Sequence, residues 1–480
     1  MLALWGLLIV VSFMVLIMTK RATPFTALVV SPIAIGLVAG FPDKIAGFSL
    51  DGIKGVAPTV AMLLFAILYF GLMITAGLFE PLVNLILRVV KGDPLKVLVG
   101  TALLASVVSI DGDGSTTTMI VCSALIPVYK RLNMKMMDLA VLVILANSIM
   151  NLLPWGGPTA RIIAALDLDS GELLRRILPG MIIAVAWVVV VSVIRGLAER
   201  KRLGIVTISD EELHTMVLGG SRGGHATAAV AGAGVGSGSA SEASAGGVGV
   251  LEAVHHDAAG AVPGADPTLK RPGLLWFNLA LTVLTMTFLV FGGMGAIPKV
   301  HASIIFEVAF AIALIANYPR LKDQRKIIEE HGANAMHVIT MVLAAGIFMG
   351  ILNGSGMSEA MGQWLANVVP TSLGSHWALV TAIASAPGTF LLSNDAFYLG
   401  VLPILAQTGA GYGFSAMEIG VASTAGQAFH LLSPLVGFIY LLLHLTGVDM
   451  GTWQRKSAFW ATGTFVIFVV AMAVFGGVRL

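Results

Sequence analysis

Charge is what this sequence has least of. Of its 480 residues only 11% are charged and 57% are hydrophobic, whereas a soluble domain carries about a quarter charged residues. Mean hydropathy is +0.92. No soluble fold of this length hides so much apolar surface, and the apolar residues come in runs long enough to cross a ~30 Å hydrocarbon core. The sequence reads as a polytopic membrane protein whose first partner is the lipid bilayer. Cysteine is nearly absent. The single Cys122 excludes an internal disulfide framework and argues against a thiolate metal site. Also absent are a GKS/T phosphate loop, a Rossmann fingerprint in context, and HExxH or GxSxG sites. The run "GAGVGSG" (232–238) has neither a strand before it nor a helix after it. No soluble region is large enough for an ATPase, so any transport would run on a gradient or on the substrate's own concentration difference. The net charge of +2 says nothing about partners, and nothing points to nucleic acid.

The N-terminus, "MLALWGLLIVVSFMVLIMTKR", has its basic residues, Lys20 and Arg21, after the apolar run. It is expected to be an uncleaved first span rather than a signal peptide, with the N-terminus outside. Further spans are expected near 24–41, 57–78, 177–195, 274–292, 300–317, 335–352 and 457–476, after a first at 2–19. Two longer stretches, 137–165 and 417–445, are helical in composition but broken at "NLLPWGGPT" (151–159) and "HLLSPLVG" (430–437). Such breaks are tolerated at membrane depth only where protein or a water-filled cavity satisfies the freed backbone. Stretches 95–130 and 375–410 each hold two apolar arms around a polar tip, "DGDGST" and "LSNDAF". Two crossings and a turn need roughly 40–45 residues, more than either stretch has, so both are expected to be re-entrant hairpins.

Residues 199–272 include the Gly/Ala/Ser run 219–250, a linker without a packable face. It separates halves 1–198 and 273–480, which align at an offset near 280. Glu80 falls on Glu359, Asp138 on Glu418, Asn147 on Gln427 and Asp169 on Asp449. The expected fold is an all-α polytopic membrane protein of two inverted-topology repeats. Each repeat has five transmembrane crossings, one re-entrant hairpin and one broken helix, as in secondary transporters. Basic residues cluster in the segments that this topology leaves in the cytoplasm, including Arg88/Lys91/Lys96, Lys130/Arg131/Lys135 and Arg195–Arg202. Lys44, Lys54, Arg175, Arg176, Lys299 and Arg479 are left outside. Both termini are then outside and the linker is cytoplasmic. The two tips meet near the midplane.

A hairpin tip at the midplane opens a half-helix whose free N–H groups suit an anion. In the first tip Gly112 and Gly114 permit the turn, Ser115 is expected to cap the following helix, and Thr116 and Thr117 add donors. Asp111 and Asp113 do not suit a bare anion, because like charges repel strongly in low dielectric. They make sense if a cation sits between them and the substrate, or if they bind protons. That points to a metal–carboxylate complex, with no metal held permanently. The second tip offers Ser393 as cap, Asn394 as a neutral ligand and Asp395 as a third acid. The breaks add Asn147, Asn151, Gly156, Gly157, Thr159 and Arg161 from one half, and Gln427, His430 and Ser433 from the other. Arg161 would fork a substrate carboxylate or else snorkel to the interface. His430 and the stranded Glu307 are candidates for carrying protons beside the three aspartates; Glu307 would otherwise pair with His301.

"VKGDPLKVLVGTA" (90–102), "DGDGSTTTMI" (111–120), "NLLPWGGPTAR" (151–161) and "TALVVSPI" (26–33) resemble the citrate–metal/proton symporters, the CitMHS family. The likeness covers the chain apart from the linker. The resemblance implies import of citrate as a complex with a divalent or trivalent metal ion, driven by protons, across the cell membrane. It also implies a homodimer working by an elevator motion, and a fold related to the divalent anion/sodium symporters. Those relatives hold carboxylates and sodium on serine–asparagine–threonine tips. The second tip here keeps Ser393-Asn394, while Asp113-Gly114-Ser115-Thr116 departs from the pattern and puts sodium coupling in doubt. Magnesium, calcium and ferric iron all fit an oxygen-rich site. The alternatives are a sodium-coupled carrier of free di- or tricarboxylates on the same fold, or a cation–proton antiporter without an organic substrate; an enzyme is not expected. Deleting residues 222–250 is expected to leave uptake nearly intact, measured in a well-folded deletion protein.

Overall fold

The structure, a computed structural model, describes residues 1–19, 21–90, 92–205, 267–293 and 300–479. Among these residues there are helices and no strands. Lys20, Lys91, Lys299 and the run 219–250, on which parts of the topology argument rest, lie outside the described residues.

Some of the helices start where the sequence supplies a capping side chain. α1 (Leu2–Met18) is followed by α2 (Pro24–Val38), where Thr23 accepts from the Thr26 amide at 3.2 Å. Proline at the first position loses only an N–H that would have no helical partner. α3 (Ile45–Thr75) and the amphipathic α4 (Glu80–Val90) follow. α3 begins well before the expected span at 57, because Asp51 and Lys54 lower the hydropathy of its first turns. They pair with each other at 3.2 Å on its exposed face. α5 (Pro94–Val108) and α6 (Gly114–Arg131) enclose the first polar tip. α7 (Met136–Met150) and α8 (Gly157–Leu166) flank the first break, and α9 (Ser170–Leu203) is a single long helix.

The second half runs through α10 (Leu275–Gly293), α11 (Ala302–Asn317), α12 (Leu321–Gly354) and α13 (Met357–Val368). α14 (Trp377–Leu391) leads to the second tip, a π-helical turn (Ala396–Val401) and α15 (Leu402–Gly411). α16 (Ala416–Ser423) and the one-turn α17 (Gln427–His430) precede the second break, and α18 (Gly437–Thr446) and α19 (Met450–Val474) end the chain. Among the described residues six stretches are long and apolar enough to cross a membrane: 45–75, 94–111, 170–203, 272–292, 335–354 and 450–474. The protein is a multi-pass membrane protein.

Two bodies position the site. In one, α3 and α12 form the most extensive helix pair, with α2 and α11 against them. Gly52, Gly346 and Gly350 let the two backbones touch, leaving no room for a Cβ on Gly52. In the other, α5, α7, α9 and α19 pack together; the first tip lies against α5 and α7, and the second against α8, α14 and α15. α7 is buried on nearly all sides from Met137 to Ile149, as expected for a helix apolar around its whole circumference. Each broken helix is tied at its outer end by an acid–arginine pair. Asp138 of α7 holds Arg195 of α9, and Glu418 of α16 holds Arg479 at 3.1 Å. The ends of the expected linker belong to the folded body. α9 continues through Leu203 with Glu199 paired to Lys135 at 2.8 Å, while Arg271 donates from its backbone to Ala76 and Lys270 pairs with Glu80 at 2.5 Å.

Candidate functional site

The first tip is built by its own aspartates. After one 3-10 turn (Ser109–Asp111) the chain reverses at Gly112, whose φ of 80° lies in the left-handed region that glycine adopts without strain. Asp111 is buried, and its Oδ1 accepts from the Asp113 amide at 2.9 Å. Asp113 is exposed and caps α6. Its carboxylate accepts from the Ser115 amide at 3.2 Å, the Thr116 amide at 2.8 Å and the Thr116 hydroxyl at 2.6 Å. The expected cap, Ser115, lies inside α6 instead. The reason is register: a cap's side chain must reach the second and third amides of the helix, and from the start at Gly114 only residue 113 can do so.

Gly114 lets the second broken helix lie close against the first tip. The Phe438 ring of α18 occupies the space a Cβ would need. Gly114→Val is therefore expected to push α18 away, at a cost of about 1–3 kcal/mol for overpacking. A thermal melt and an uptake assay together should both decline.

The first break is closed by side chains reaching back. Asn151 Oδ1 accepts from the Gly157 amide at 3.2 Å, Thr159 donates to the Leu152 carbonyl at 2.8 Å, and Trp155 Nε1 donates to the Ile110 carbonyl at 2.7 Å. Gly156 faces the Asn151 carbonyl with no space for a side chain. Asn147 donates to Ser109 at 3.3 Å, and Ser109 in turn meets Thr117 at 3.1 Å.

At the second tip Ser393 accepts from the Ala396 amide at 3.2 Å, and Asn394 accepts from Gln427 at 2.9 Å. Gln427 also donates to Tyr398 at 2.8 Å. Asp395 faces away from this cluster toward the first half, where its Oδ1 receives Arg161 Nε at 2.6 Å. The two side chains are 14% and 16% exposed. Arg161 also donates to the Gly157 carbonyl at 2.8 Å. Neither sequence-based role for Arg161 describes this arrangement, since the arginine pairs across the two halves of the chain. In this structure Asp395 is the partner of Arg161. Among the described residues no three His, Cys, Asp or Glu side chains gather as a metal cluster.

The remaining candidates sort by position. His430 is buried with its Nδ1 2.7 Å from the Thr389 carbonyl, so that nitrogen carries a hydrogen. Ser433 is buried and accepts from the Leu435 amide at 3.1 Å. Glu307 lies exposed on α11, and His301 turns to Ser303 at 2.8 Å, so the expected pairing between them is not made. Ser109, Trp155, Thr389 and Tyr398 were not singled out from sequence. Their only signal was proximity to a tip or a break, which many apolar neighbours share.

The CitMHS family model, described as citrate transporter, matches residues 13–426. A Bacillus subtilis (strain 168) protein named citrate transporter is 43% identical over 479 residues, covering 99% of each chain. Another from the same organism, named Mg(2+)/citrate complex secondary transporter, is 39% identical over 481 residues and the whole of both chains. The crystal structure of the Alcanivorax borkumensis YdaH transporter superposes with a TM-score of 0.52 at 15% identity, over 91% of this chain and 88% of that one. That likeness concerns the fold alone.

Proposed function

Because the chain belongs to the CitMHS family of citrate transporters, we propose that it imports citrate as a complex with a metal ion, in symport with protons. The observation that carries the reading is the exposed carboxylate of Asp113 seated on the N-terminus of α6. The positive end of the helix dipole is already occupied by an anion, so a bare citrate trianion meets repulsion there. A complex that presents its metal to Asp111 and Asp113, and its carboxylates to the Ser115 hydroxyl and the Asn394 amide, meets complementary charge on both sides. Chelation also lowers the net charge that must be desolvated at membrane depth.

The same reading keeps both hairpins re-entrant and the halves as inverted repeats, with both termini outside. The moving unit would be the tips, broken helices and their neighbours, sliding past α3 and α12 in a homodimer. A cavity of ≈ 390 Å³ lies on that boundary, lined by Gly52, Val56, Ala165, Asn353, Pro403 and Gln407. Its mostly small side chains suit sliding.

The test is labelled-citrate uptake into proteoliposomes under an inward proton gradient, without metal and with magnesium, calcium, zinc or ferric iron, each with and without sodium. Uptake with only some metals, abolished by a protonophore, is expected. Metal-indifferent, sodium-dependent uptake would overturn the reading in favour of a free-carboxylate carrier.

A further inference from the structure

α19 carries a polar stripe that the proposed chemistry does not use. Trp453, Ser457 and Thr464 stand at i, i+4 and i+11, which is one face of a helix. All three are fully buried, and Trp453 Nε1, Ser457 Oγ and Thr464 Oγ1 have no protein hydrogen-bond partner. This is not a general property of hydroxyls on α19, since Thr462 donates to the Ala458 carbonyl at 2.8 Å. On the neighbouring helices the amide oxygens of Asn147 and Gln427 are likewise buried and unpartnered, although their nitrogens donate to the two tips. α7, α17 and α19 pack against one another. Five of the eleven such atoms among the described residues thus fall on three touching elements, which makes a local design more economical than scattered misfit.

The chemistry of the five atoms is complementary to one ligand. An indole N–H only donates, an amide oxygen only accepts, and a hydroxyl does both. Trp453 and Thr464 are roughly 16 Å apart along the helix axis, too far to satisfy each other directly. Buried polar groups find protein or ordered water, and a molecule that both donates and accepts fits every position in the row.

We propose that a file of bound water lies along this face of α19, from Trp453 to the Asn147 and Gln427 amides, and is the path of the transported proton. The second half of that statement rests on the proton-coupled reading above. Trp453 sits one turn from the helix start at the exposed Asp449, beside the exposed Arg455 and Lys456, so this end of the file lies toward the cytoplasmic face of the proposed topology, where an imported proton leaves. At the other end Asn147 holds Ser109 and Gln427 holds Asn394, which places it against both tips. Along the file each water, and the hydroxyls of Ser457 and Thr464, accepts one proton and passes another on. One proton is displaced from end to end while every side chain keeps its protonation.

Radiolytic hydroxyl labelling of the full chain, read by mass spectrometry, tests the water directly, because radicals formed from bound water mark the side chains beside it. Trp453 is expected to label several-fold faster than the buried Trp155, whose Nε1 is taken by the Ile110 carbonyl. Ser457→Val should suppress that labelling and Ser457→Thr should keep it. Labelling of Trp453 no faster than that of Trp155 overturns the file, and this readout needs no variant to fold. The path is tested by proton uptake recorded with an entrapped pH dye as magnesium–citrate enters. Ser457→Val should slow the coupled proton flux about tenfold, the effect of one lost hydrogen bond in the path, with magnesium–citrate affinity unchanged. Unchanged flux overturns the path. No proton flux in the unaltered protein would reject the coupled reading and the path together, while the labelling still decides the water.

Discussion

The Asp113→Asn protein is expected to fold normally and to take up magnesium–citrate roughly 10- to 100-fold more slowly. The two halves of that expectation have separate origins. Asparagine is as good an N-cap as aspartate, and its Oδ1 can still accept from the Ser115 or Thr116 amide, so stability should stay within about 1 kcal/mol. What is lost is a full negative charge at an exposed tip. A charge-assisted contact is worth roughly 1.5–3 kcal/mol, which sets the size of the effect on a bound cation. The measurement is initial uptake rate at fixed magnesium beside a thermal melt. Unchanged uptake with an unchanged melt would remove Asp113 from the metal's surroundings. Faster uptake of metal-free citrate in the same variant would support the argument from the other side, since the repulsion of the bare anion is then relieved.

Arg161→Met should be more damaging and in a different way. The variant leaves Asp395 as an uncompensated charge in a largely buried setting, and removing one partner of such a pair costs about 3–5 kcal/mol. It also frees the second tip from the first broken helix, because the 2.6 Å contact spans the two halves. Loss of transport and a marked drop in melting temperature are expected together. Adding Asp395→Asn to Arg161→Met should restore much of the stability, because the stranded charge is gone, without restoring transport. If the double variant transports, the pair is a structural brace only. If the single variant melts like the unaltered protein, Asp395 has another partner and the ion pair does not hold the tip.

Much of the arrangement was legible in the sequence because its cause is local. Low charge, long apolar runs and the positions of proline and glycine set the membrane class, the helices and the two breaks. Asp169 and Asp449, paired by the offset of 280, both cap helices, accepting from the Glu172 and Thr452 amides at 2.8 Å. The polar tips were visible because "DGDGST" and "LSNDAF" interrupt apolar arms. The assignment of Ser115 as a cap failed by two residues, since the choice between Asp113 and Ser115 depends on where the first helical turn closes.

What only the tertiary structure decided is which tip meets which break. Arg161 and Asp395 lie 234 residues apart, and Gly114 and Phe438 are separated by a comparable stretch, so no periodicity or spacing links them. Pairing at such distance follows from how α6 and α18 pack against α7, how α8 packs against the second tip, and which side chains face one another there. The same holds for the orphaned atoms of Trp453, Ser457 and Thr464. A sequence shows that they share one face of a helix, but a hydrogen bond left unmade is a property of the neighbours. Composition and spacing determined the class of molecule and the elements that carry its polar groups. Burial and long-range contact decided which of those groups are satisfied by each other and which remain open to a cargo, a proton or water.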